Sequence, residues 1–204
     1  MTTDFELLDA WRDGDKRAGN ALFERHFDGL FRFFRYKLPD KAEDLVQQTL
    51  LACVQAQPGF RKQSSFRTYL YTIARSKLYD ALARRARDQA IDFTTSSVVD
   101  LGESPSRVLA RDQEQNLLVQ ALRRLPVQLQ VILELKYFEH MSGPEIAEVL
   151  EIPEGTVRSR LRRAREQLQD AVKALAESPE HVESTMTRLD SWADALRRDE
   201  EEKP

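Results

Sequence analysis

The 204-residue chain reads as an all-α protein of two small helical lobes joined by a flexible linker, with a C-terminal extension that is either helical or disordered. Two observations predict this. Apolar residues recur at steps of three and four through most of the chain, and no alternating strand pattern of useful length appears. Proline, glycine and polar runs divide the helical pattern into two groups, residues 1–87 and 105–176, with a linker at 88–104 and an acidic extension at 177–204.

The elements follow in order. Helical spacing fills residues 4–12, then 16–37, where Leu22, Phe23, Phe27, Leu30, Phe31 and Phe34 supply the apolar side and Pro39 marks the stop. A third pattern covers 41–56, with Leu45, Thr49 and Cys53 on one stripe, and ends at Pro58 and Gly59. The fourth, 66–86, carries Tyr69, Leu70, Ile73, Ala74 and Leu78 on one side. Residues 88–104 break the pattern with a Thr-Thr-Ser-Ser run, Gly102 and acidic residues. Helical spacing resumes near Pro105, runs through Leu109, Leu117, Leu118, Ala121 and Leu125, stops at Pro126 and restarts through Leu129, Ile132, Leu133 and Tyr137.

The strongest local signal lies just beyond. Ser142 followed three residues later by Glu145 makes a capping box, Pro144 suits a first helical turn, and Ile146, Ala147 and Leu150 form an apolar face. Ile152 and Pro153 make a turn. Val157, Leu161, Ala164 and Leu168 then lay down a second stripe, so Ser159 and Arg162 point away from it, Arg158 and Arg163 flank that outward face, and Arg160 and Arg165 sit nearer the core boundary. Two such helices around a turn read as a helix-turn-helix, whose second helix can enter the major groove and read guanine through arginine. A solvated basic face on a packing helix is the plainer alternative.

Charge is segregated along the chain, although its net value is only -3. Residues 61–87 hold Arg61, Lys62, Arg67, Arg75, Lys77, Arg84, Arg85 and Arg87 against Asp80 alone, a net +7. Residues 177–204 carry nine acids against four bases, a net -5. Two separate basic zones suggest two contacts with one polyanion. Phe60 and Phe66 bracket the polar loop before the fourth helix. They either stack on unpaired bases, at roughly 1–3 kcal/mol each, or anchor the loop in the core.

Several classes of function are disfavoured. No segment approaches a membrane span and the N-terminus lacks a signal-peptide pattern, so a cytoplasmic protein is expected. The single cysteine, Cys53, precludes an internal disulfide and reads as a small core residue; three scattered histidines give no metal-site spacing, so neither metal nor cofactor is expected. Tyr69 or Tyr71 could in principle serve as a nucleophile on DNA, but no arginine–histidine constellation or metal-carboxylate cluster accompanies them. No enzymatic activity and no small-molecule substrate are therefore expected. Lobes this small keep marginal cores, to whose order a bound partner can contribute.

Together these residues resemble a bacterial extracytoplasmic-function (group 4) sigma factor, the promoter-recognition subunit of RNA polymerase. AEDLVQQT (42–49) resembles the family's core-binding helix, FRTYLYTIAR (66–75) its promoter-melting and minus-10-reading segment, and IPEGTVRSRLRRAREQL (152–168) its minus-35-reading helix; with the apolar pattern between them the match spans about residues 5–172. The resemblance implies that 1–87 is the sigma region 2 domain and 105–176 the region 4 domain. It implies core polymerase contacts, on the clamp helices and flap, with Glu43, Asp44, Leu45, Gln47, Gln48 and Thr49 facing the clamp. Phe60, Arg61, Lys62, Gln63, Ser64 and Ser65 would form the loop that captures a flipped base, with Arg75, Ser76, Lys77, Arg84 and Arg85 serving minus-10 recognition and melting. Arg158, Ser159, Arg162 and Arg163 would read minus-35 bases, with Thr156 on phosphate. The acidic linker would run through the polymerase cleft. Promoter DNA is the implied ligand and an anti-sigma factor a candidate partner.

The chain departs from the family pattern at four places. Tyr69 stands where tryptophan is common, Leu50 where phenylalanine is, Ser76 where asparagine is, and Glu151 where the turn has glycine. Losing an amide at Ser76 removes a donor–acceptor pair from any base contact. Glu151 must take a turn conformation that costs a non-glycine residue about 1 kcal/mol. Beyond the resemblance, Val182, Met186, Leu189, Ala193 and Leu196, with Trp192 beside them, would allow an amphipathic helix over 180–198 that docks on the chain's own lobes or on a regulator, its acids competing with DNA for the arginine-rich helix. A disordered tail is the alternative. A stand-alone helix-turn-helix regulator accommodates 142–168 equally well, but leaves the acidic helix and aromatic loop without a task.

Overall fold

Side-chain caps start the first helices. Thr3 and Glu6 form a capping box at the head of α1 (Asp4–Arg12), and the Asp15 carboxylate accepts the Arg17 and Ala18 amides at the head of α2 (Lys16–Arg35). Trp11 lies over Gly19, where a Cβ would fall 2.7 Å from its ring, so α1 and α2 approach as only glycine permits. A 3-10 turn at Pro39–Lys41 leads into α3 (Ala42–Ala56). Ser65 caps α4 (Phe66–Gln89), its hydroxyl accepting the Thr68 amide at 3.0 Å. In this computed structural model the described residues are 2–56, 64–89, 96–100, 113–176, 178–187 and 189.

The second group contains α5 (Gln113–Arg123), α6 (Val127–Tyr137), α7 (Gly143–Leu150), α8 (Glu154–Leu175) and α9 (Pro179–Thr187). Ser142 and Glu145 make the expected capping box, and Pro144 stands within the first turn of α7. Among the described residues there is no strand, only an isolated bridge between Ser97 and Pro126. The sequence-based linker is thus partly occupied by structure. α4 continues to Gln89, and residues 96–100 are tied to the second lobe by the Val127 amide on the Ser96 carbonyl and by buried Val98.

Helical periodicity fixes what is buried. In the first lobe Leu22, Leu30, Phe34, Leu45, Val46, Cys53, Phe66, Leu70, Ala74 and Leu78 are all buried; in the second, Leu118, Leu122, Ile132, Leu135, Ile146, Val149, Val157, Ala164, Leu168 and Val172 are. Each large apolar side chain so placed contributes roughly 1.5–3 kcal/mol of transfer free energy. Phe66 is therefore a core residue and does not stack on bases. Cys53 is 1% exposed, and burial pushes its thiol up to about 12, so it is an inert core residue. No helix of the described residues is long and apolar enough to cross a membrane.

The two lobes pack against each other across a polar interface. Lys37, fully buried, pairs with Glu134 of α6 and also donates to the Phe33 carbonyl at 2.7 Å. Arg32 pairs with Glu139 at 2.8 Å, Arg67 donates to the Glu139 carbonyl at 2.7 Å, and Arg123 donates to the Tyr36 carbonyl at 2.5 Å. Gly29 leaves room for this packing, since a Cβ there would lie 2.8 Å from the Tyr71 hydroxyl and 3.3 Å from the Glu139 carboxylate oxygens. Burial pushes the Lys37 ammonium down and the Glu134 carboxyl up, each partly offset by the other's charge.

Candidate nucleic-acid and polymerase interfaces

The helix-turn-helix is built as its caps and stripes require. α7 ends at Glu151, whose backbone is left-handed (φ 55, ψ 44), and the chain reverses through Ile152 and Pro153 into α8. Val157, Ala164, Leu168 and Val172 turn inward. Arg158, Ser159, Arg162 and Arg163 are exposed, with Thr156 half-buried near the helix start. Arg162 is 80% exposed at the side chain and only loosely drawn to Glu166 at 3.9 Å. The Ser159 hydroxyl donates to the Thr156 carbonyl at 2.9 Å. Arg160 is half-buried, while Arg165 is exposed and lies over the Tyr137 ring.

On α4, Ser76 and Arg84 are exposed and Lys77 and Arg85 half-buried. Arg75 behaves differently: its side chain is only 13% exposed and is paired with Glu151. Ser64 and Ser65 are half-buried, and the Ser65 hydroxyl is engaged in capping α4. Phe60, Arg61, Lys62 and Gln63 lie outside the described residues. Burial raises the Tyr69 and Tyr71 phenols, Tyr71 well above its ordinary value. No cluster of three potential metal ligands occurs among the described residues.

α3 requires a correction. Glu43, Asp44 and Gln47 are exposed and Gln48 half-buried, with the Gln48 amide on the Asp44 carboxylate at 2.8 Å. Leu45 and Thr49, however, are 3% and 0% exposed. They share the inward stripe with Cys53, and the Thr49 hydroxyl donates to the Leu45 carbonyl. Neither can face a partner without dismantling the core. The outward face instead continues from Asp44 and Gln47 to Leu51 and Val54, 58% and 42% exposed, at steps of three and four. Sequence reading missed these two, although two aliphatic residues opposite the Leu45–Thr49–Cys53 stripe were the available signal.

Two family models match the chain, Sigma-70 region 2 over residues 22–88 and Sigma-70, region 4 over residues 115–168. The RNA polymerase sigma-H factor of Pseudomonas aeruginosa is 33% identical over 84% of this chain and 95% of the relative. The chain belongs to the sigma-70 family of RNA polymerase sigma factors. An ECF RNA polymerase sigma-E factor of Haemophilus influenzae is 30% identical over 85% of the chain and 97% of its own length. Among solved structures, CnrH in complex with the cytosolic domain of CnrY superposes with a TM-score of 0.64 at 26% identity, covering 85% of this chain and 99% of that one. The sigma factor RpoE from Bartonella quintana, in complex with the anti-sigma factor NepR, gives a TM-score of 0.60 at 25% identity over 76% and 96%. This sigma factor thus acts in transcription initiation, with core RNA polymerase and promoter DNA as its partners. The matches cover both lobes, as a lone helix-turn-helix regulator would not.

In the C-terminal extension of this sigma factor, α9 packs against α5 and α8. Val182 and Met186 are partly buried there and Leu189 fully, so three of the predicted apolar positions lie against the chain's own second lobe. Ala193, Trp192, Leu196 and the terminal acids lie outside the described residues.

Proposed function

We propose a division of labour between the two lobes. Residues 1–87 dock on core polymerase and read and open the minus-10 element; residues 105–176 read the minus-35 element. The observation that carries this reading is the partition of α8, whose inward stripe buries Val157, Ala164 and Leu168 with Leu161 half-buried, while Arg158, Ser159, Arg162 and Arg163 face solvent. Arginine on such a face can donate two hydrogen bonds to guanine, and Thr156 lies where a helix start meets phosphate.

Ser76, Lys77, Arg84 and Arg85 on α4, with residues 60–65, contact the minus-10 region. Opening it costs roughly 1.4 kcal/mol per base step in stacking, offset by base capture and polymerase contacts. Glu43, Asp44, Gln47 and Gln48, joined by Leu51 and Val54, dock on the clamp helices, and the second lobe meets the flap. The protein performs no covalent chemistry and works in the cytoplasm, where core polymerase is. A protein of the anti-sigma class is a natural further partner, as it is for RpoE in its complex with NepR.

Reconstitution with bacterial core polymerase on a randomised promoter library tests the reading. Two separate sequence blocks should emerge from the initiated templates, and Arg162→Ala should relax only the upstream one. Duplex binding without core binding would instead support a stand-alone regulator.

A further inference from the structure

α9 borders a particular side of α8. Arg165, Gln169 and Lys173 of α8 and Val182 and Met186 of α9 line a groove of about 830 Å³ between the two helices. Counted back along α8 at steps of three and four, the same face carries Arg162 and Arg158, both exposed. The groove is therefore the C-terminal continuation of the face proposed to read DNA. Only three residues, 176–178, join the helices, so α9 runs back along α8. Its nine residues, at ~1.5 Å each, return its end by ~13 Å, to about the level of Glu166 and Gln169. Leu189, 4% exposed, fixes the point from which the chain leaves.

The chain beyond that point is acidic. Residues 190–204 hold six acids against three bases, and four of the acids are consecutive, Asp199–Glu202. From the exit, Arg162 lies about one helical turn further along the same face and Arg158 about two, or roughly 15 Å. Residues 190–199 span roughly 15 Å as helix and roughly 34 Å as extended chain, so in either conformation the acid run reaches both arginines. Arg162 is only loosely drawn to Glu166, at 3.9 Å, so a denser cluster of carboxylates competes easily for it. Tethering adds to this, because a segment on so short a linker acts at an effective concentration in roughly the millimolar range.

We propose that residues 190–204 dock along the Arg158–Arg162–Arg165 face of α8, with the acid run Asp199–Glu202 paired to arginines that otherwise bind DNA. The occupant is a segment of the chain itself, and its chemistry is that of the phosphates it replaces: closely spaced negative charge without base edges. This rests on the reading of α8 as a DNA-contacting helix. Docking hides the same arginines from every duplex, so it lowers all affinities by one factor, the fraction of undocked chain, and leaves base preference unchanged.

Cross-linking of the full chain tests where the segment lies. Lys203→Cys leaves the acid run intact and is combined with Ser159→Cys or with Asp170→Cys on α8, the native Cys53 being buried and unreactive. Asp170 lies within about one turn of the exit and Ser159 about two turns beyond it. An undocked segment should therefore form a disulfide faster with Asp170→Cys under mild oxidation. A docked one should favour Ser159→Cys several-fold, and Asp199→Asn with Glu200→Gln, Glu201→Gln and Glu202→Gln should abolish that preference. Faster bonding to Asp170→Cys with the acid run intact would overturn the proposal. Affinity for a fluorescein-labelled duplex of about 25 base pairs tests the competition. Neutralising the acid run should tighten binding about fivefold at roughly 50 mM salt and less at roughly 200 mM. The gain should vanish when Arg158→Ala and Arg162→Ala are already present; a gain that persists there is repulsion at a distance and would overturn the docking. Excess duplex should slow bonding to Ser159→Cys. Bonding that duplex leaves unchanged would overturn the reading of α8, and the competition with it.

Discussion

At the scale of single residues, the proposed DNA and polymerase contacts and the packing of the lobes draw on largely different side chains, Arg75 being shared by both. Arg162→Ala should cost about 1–3 kcal/mol of discrimination at one upstream base position, measured by competition between matched and mismatched duplexes; uniform weakening on all sequences would mean that it touches only phosphate. Asp44→Arg should weaken core polymerase binding by about tenfold, an order of magnitude per ~1.4 kcal/mol, with helical content unchanged, since Asp44 is exposed on α3. Lys37 belongs to the other group. Lys37→Met strands Glu134 as a buried lone charge and should destabilise the packed chain by about 3–5 kcal/mol, and adding Glu134→Leu should recover most of this. Thermal denaturation of the single and double variants measures it, and independent, additive losses would contradict the pairing. Little of this second group could be seen in the sequence. Lys37 and Glu134 lie 97 residues apart, and nothing local to either marks a partner. Leu45 and Thr49 show the opposite failing: the stripe they share with Cys53 was visible, yet resemblance alone assigned them outward.

At the scale of elements, the helix-turn-helix was legible because its signals are local. The capping box, the proline in the first turn and two apolar stripes specify α7 and α8 from short range, and the structure reproduces each. Ser142→Ala should cost the second lobe about 1 kcal/mol. Burial pushes the Glu145 carboxyl up, but hydrogen bonds from Ser142 and the nearby Arg67 charge hold it below its ordinary value of 4.5. Its stabilising contribution is therefore present above about pH 4.5 and is lost as pH falls through the depressed value. Ser142→Ala should flatten that acid limb of a pH–stability curve; an unchanged limb would show that the box contributes nothing. The extension was half legible. Val182, Met186 and Leu189 do turn towards the lobe, but periodicity alone could not choose between docking on the chain itself and docking on a regulator.

At the scale of the whole molecule, the fold class followed from helical spacing and the family from three ordered motifs. The packing of one lobe on the other did not. It is made by charges spread over both lobes and by a glycine, Gly29, whose need for smallness only the folded chain reveals. The proposed division of labour, one reading surface on each lobe, predicts that promoter geometry, as well as sequence, controls initiation. The most direct measurement is core-dependent transcription from one promoter whose two elements are moved apart in single base-pair steps. A sharp optimum is expected, with most activity lost at about five added base pairs, half a helical turn, and with Arg162→Ala reducing initiation only where the upstream element is present. Equal transcription at every spacing, or initiation indifferent to the added factor, would contradict the account.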